Sequence, residues 1–83
     1  MDDAPYQPIS CDFHDLLEAA ATRRSVVTLE IRDAADVVER VQVRISDIVT
    51  RADGEYVLLD NGRSVRLDRI VSIDGARLVD YPE

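Results

Sequence analysis

The sequence has no lysine, no tryptophan, one cysteine and one histidine. With Cys11 as its only thiol, an internal disulfide and a zinc site built on paired cysteines are both excluded. That thiol usage suits a reducing compartment. No apolar run approaches the ~20 residues of a membrane span. The N-terminal "MDDAPYQP" is acidic and lacks the apolar segment of a signal peptide. The chain is therefore expected in the cytoplasm, away from membranes. Glycine is scarce: Gly54, Gly62 and Gly75 all stand in turn-like contexts, so there is no glycine-rich phosphate loop. Aromatics are limited to Tyr6, Phe13, Tyr56 and Tyr81, which leaves the core to Val, Ile and Leu.

What is present is acid. Seventeen Asp and Glu stand against ten basic residues, all Arg, for a net charge of −7 over 83 residues. Such a chain repels phosphate backbones, because nucleic-acid affinity rests on cation contacts that release counterions. Direct nucleic-acid binding is not expected, and the acid serves either a basic protein partner or simply solubility. The length allows one small domain, residues 1–83, with a thin stability margin.

Residues 1–9 read as an extended, proline-containing arm. A helix is predicted over 12–24, with Asp12 as N-cap and Asp15 in a box-like role. Phe13, Leu16, Leu17, Ala20 and the Arg24 stem form its inward stripe, and Asp15 and Glu18 point away. From residue 25 to 80 the pattern alternates with period two. Val27, Leu29 and Ile31 share a face, as do Val41, Val43 and Ile45. Asn61-Gly62 and Asp53-Gly54 are turn signals, and a last strand is predicted over 77–79. The fold class is mainly β with one N-terminal helix: a small antiparallel SH3-like or Sm-like barrel, the helix covering one end.

No catalytic constellation emerges. Cys11 and His14 flank the predicted helix start with nothing to orient the imidazole, so His14 is expected in solvent. Asp15 and Glu18 would need desolvation to act as acid and base, which an exposed helix face denies them. Asp12 and Asp15 suit the helix dipole, whereas Glu18 lies beyond its reach. Asp60-Asn61 offers too few ligands for calcium. The arginines at 63, 66 and 69 lack interleaved aromatics; Arg66 and Asp68 are expected to share a solvated strand face, with the arginines in cross-strand ion pairs. The chain is expected to be no enzyme and to need no cofactor or metal. A direct RNA-binding Sm-like module, resting on the Arg cluster of 63–69, is the competing expectation.

The stretch "YQPISCDFHDLLEAA", followed by "VTLEIRD", "SDIVTR", "EYVLL" and "RLDRIVSI", resembles the Rof (YaeO) family of bacterial Rho-binding antiterminators, from Tyr6 to about Ile73. The resemblance implies an Sm-like barrel with an N-terminal helix. It also implies inhibition of the termination factor Rho, by binding its N-terminal OB-type domain and keeping RNA out. Carried onto this sequence, the contact residues are Asp12, Asp15 and Glu18 of the helix, Tyr6 and Gln7 of the arm, and Arg51. His14 stands where the family can carry a tyrosine, and joins the contact set. The free protein is expected to be monomeric.

Overall fold

The computed structural model describes residues 5–81; the first four residues of the predicted arm lie outside that range. Helix α1 spans Cys11–Arg23, followed by strands β1 (Val26–Arg32), β2 (Val38–Arg51), β3 (Gly54–Leu59), β4 (Ser64–Arg66), β5 (Ile70–Ile73) and β6 (Ala76–Arg77). Two 3-10 turns complete the chain, Leu67–Arg69 between β4 and β5 and Leu78–Asp80 after β6. The protein is mainly β with an N-terminal helix, as its periodicity predicts.

The strands form one antiparallel sheet in the order β4-β3-β2-β1-β5-β6. β4 and β6 are its edges, so the barrel is curled but its ladder does not close. The curl depends on β2. Its first half pairs with β1 from Val38 to Arg44, and its second half pairs with β3 from Ile45 to Arg51. A register shift between Ile45 and Asp47 bends the strand where it changes partner.

The alternating residues fill the interior. Val27, Leu29, Ile31, Val43 and Ile45 are buried, joined by Val57, Val65, Leu67 and Ile70. α1 closes one end by inserting Phe13, Leu17 and Ala20, and Phe13 meets Tyr81 at a centroid distance of 5.6 Å. Among the described residues, no buried side-chain polar atom lacks a partner.

Several local expectations need correction. The predicted strand over 77–79 is two residues, Ala76–Arg77, before the chain winds into a 3-10 turn. The predicted continuous run through "RLDRI" is broken at Leu67–Arg69, so Asp68 lies in a 3-10 turn and not on a strand face with Arg66. The Asn61-Gly62 turn takes positive φ only at Gly62 (90°). Gly62 N–H donates to the Leu59 carbonyl and Leu59 N–H to the Arg63 carbonyl, which makes a three-residue loop of the bulged type. The β1–β2 loop gave no glycine or proline signal. Asp33 shapes it by accepting from the N–H groups of Ala35 and Val37, both at 2.9 Å.

Candidate partner-binding face

The helix starts at Cys11, ahead of the predicted residue 12, and its cap is Ser10 and not Asp12. Ser10 Oγ accepts from Phe13 N–H at 3.2 Å, and its carbonyl accepts from His14 N–H at 3.0 Å. Asp12 instead sits in the first turn, where its negative charge suits the positive end of the helix dipole. At the other end Arg24 adopts a left-handed conformation (φ 54°) and its N–H returns to the Ala20 carbonyl. Arg24 is exposed and does not extend the buried stripe.

With Phe13, Leu17 and Ala20 turned inward, Asp12, Asp15 and Glu18 are left exposed at three-residue spacing. His14 departs from the solvent position expected of it. Its side chain is only 22% exposed, with Nδ1 3.6 Å from Glu18 Oε2 and Nε2 3.6 Å from Glu55 Oε2. Glu55 comes from β3, so the imidazole links helix to sheet. The side-chain ligand atoms of His14, Asp15 and Glu18 all lie within 4.8 Å of one another.

The arm is anchored beside this cluster. The Tyr6 hydroxyl donates to Glu55 Oε1 at 3.5 Å, and its ring lies over Gly54. A Cβ built on Gly54 would stand 2.8 Å from Tyr6 Cγ, so the ring's seat requires glycine there. Burial pushes the Tyr6 phenol up to about 12, with the Glu55 and Asp68 carboxylates adding to the effect. Gln7 N–H donates to Asp68 Oδ2 at 2.9 Å. Asp68 Oδ1 accepts from Arg66 Nε at 2.7 Å, the two side chains 10% and 6% exposed. This pair, expected on a solvated face, is buried, because the 3-10 turn folds Asp68 back under the arm.

The structure thus brings together Tyr6 and His14 through Glu55, and Glu18 through His14, while Asp12 and Asp15 stand on the same helix and Gln7 on the same arm. Arg51 joins a different group. Its guanidinium lies 4.7 Å over the Tyr56 ring and donates to Ser64 Oγ at 3.4 Å. Tyr56 follows Glu55 in the strand and so points to the opposite face. The Tyr56 hydroxyl donates to Asp53 at 2.8 Å, and that bond raises its pKa. Glu55 is the member that sequence reading missed. It lies in a strand, far along the chain from the Tyr6 and His14 side chains it meets, and no local pattern marks it.

The arrangement is that of a small helix-capped β module with a carboxylate-rich face. Comparison with known proteins specifies the class. The family described as modulators of Rho-dependent transcription termination (ROF) matches residues 8–80. The protein rof of Escherichia coli K12 is 40% identical over 70 residues, covering 81% of this chain and 79% of that protein. The protein rof of Shigella flexneri shows the same identity and coverage. The chain belongs to the ROF family of modulators of Rho-dependent transcription termination. That family is regulatory and not a family of enzymes. No helix among the described residues is long and apolar enough to cross a membrane.

Proposed function

We propose that this protein inhibits Rho by laying α1 and the adjoining arm against the N-terminal OB-type domain with which Rho captures nascent RNA. The single observation that supports this most is the exposed row of Asp12, Asp15 and Glu18 on a helix whose other face is locked into the core. A groove that tracks single-stranded RNA is electropositive. Carboxylates presented on a rigid helix satisfy the same guanidinium and ammonium groups that hold phosphates. The helix and the RNA then compete for one surface, and Rho fails to load. Nothing is cleaved or transferred, so the effect is antitermination by occupancy. Tyr6 and Gln7 extend the contact along the arm, His14 stands within the row, and Arg51, stacked on Tyr56 at the other face of β3, makes a second, separate contact. The protein is monomeric when free and meets Rho in the cytoplasm.

The experiment is a pull-down and calorimetric titration against the isolated Rho N-terminal domain. Asp15→Ala and Glu18→Lys are expected to weaken binding at least about tenfold, since each removes a charge-assisted contact. Their circular dichroism should match wild type, because both positions are exposed. Undiminished binding by both variants would mean that the acidic row is not the contact.

A further inference from the structure

The face described above uses the acid of the protein. The basic residues show an organisation of their own. A cleft of about 220 Å³ opens where the end of β1, the start of β2 and strand β4 converge. Four of the ten arginines line it, Arg32, Arg63, Arg66 and Arg69, against two carboxylates, Asp33 and Glu39. Asp36 and Asp68 stand just outside the lining as partners of Arg32 and Arg66, so four guanidinium groups converge here with their charge matched, in a chain whose net charge is −7. No residue of α1 lines this cleft.

The four guanidinium groups are held to different degrees. Arg66 is 6% exposed and fixed from behind by Asp68, with the Tyr6 ring 5.8 Å from its Cζ. Arg69 Nη1 donates to the Asp33 carbonyl at 3.2 Å, which holds it at the cleft wall. Arg32 and Arg63 pair with Asp36 and Glu39 at 3.0 and 3.3 Å, and these carboxylates are 82% and 54% exposed. Pairs so open to water contribute little and exchange readily. A ligand with more concentrated negative charge, and oxygens spaced for bidentate contact, would displace them. The Ser64 hydroxyl on the same wall can donate to such an oxygen.

From this geometry we infer that the cleft binds the phosphate group of a small phosphorylated solute. Its volume corresponds to about seven waters, which suits one or two phosphate groups. A polynucleotide would need a continuous basic track. Outside the cleft, Arg40 is paired with Glu30 and Arg44 with Asp60, and the acidic surplus of the chain opposes a strand leaving the cleft.

The test titrates the full chain at low salt with inorganic phosphate and inorganic pyrophosphate, following arginine Nε–H resonances and heat. Saturable binding is expected, tighter for pyrophosphate, with shifts concentrated at Arg32, Arg63 and Arg69. An Arg32→Gln/Arg63→Gln variant should lose about tenfold or more in affinity. Arg77→Gln, outside the cleft, should bind as wild type does. Thermal melting of each variant checks the fold. Shifts that match sodium chloride at equal ionic strength, or binding untouched by the double variant, would overturn the inference. So would a short oligouridylate that binds more tightly than pyrophosphate through the same arginines, which would make the cleft a strand-binding surface.

Discussion

Asp68 is one residue with two tasks. One carboxylate oxygen holds Arg66 at the end of β4 and the other holds the backbone of Gln7. Removing one partner of such a pair typically costs about 3–5 kcal/mol, because the other charge stays buried. Tyr6 reports whether the arm is seated. Its phenol titrates near 12 when folded, against a reference of 10.0. The neutral form is therefore favoured by the fold. The stability that Tyr6 contributes is complete below pH 10 and is lost as the pH rises towards 12. Ultraviolet titration of the phenolates should show a late component near the top of that window, absent in Tyr6→Phe. Loss of that component in Gly54→Ala, whose new methyl group invades the seat of the ring, would locate the signal at the same contact.

At the scale of the element, α1 separates holding from presenting. Ser10 starts it, Phe13 and Leu17 anchor it, and the acidic row carries little structural duty beyond the Asp12 dipole contact and the Glu18 contact with His14. Ser10→Ala removes the side-chain acceptor for Phe13 N–H and is expected to destabilise the protein by about 1 kcal/mol. Denaturant unfolding measures this. A midpoint equal to wild type would assign the cap elsewhere. β2 does the corresponding work for the sheet. By bending between Ile45 and Asp47 it lets one strand serve two ladders, which curls the sheet around the core that α1 closes.

For the whole molecule, the acidic row on the helix is without arginine partners among the described residues, whereas Arg32, Arg63 and Arg66 of the seam are matched by carboxylates. Carboxylates gather on the helix end and four arginines on the seam between β1 and β4. The summed field of a −7 chain steers it towards basic surfaces. Stopped-flow association with the Rho N-terminal domain should therefore slow about tenfold or more as salt rises from low to several times physiological, with dissociation changing less. An association rate indifferent to salt would show that the acidic face does not guide the encounter.

Composition and period-two alternation are local properties. They were enough to determine a β-rich domain, the buried set of Val27, Leu29, Ile31, Val43 and Ile45, and a helix with an exposed acidic side. The family was legible too, because its motif is contiguous from Tyr6 to Asp12. Tertiary structure alone decided that Glu55 joins His14 and Tyr6, that Asp68 is buried beneath the arm, and that Arg32 meets Arg63, Arg66 and Arg69. Those contacts span tens of residues, and they form only once β2 has bent and the 3-10 turn at Leu67–Arg69 has redirected the chain. A periodic pattern tells each residue which way to face. It carries no record of which distant residue will face it.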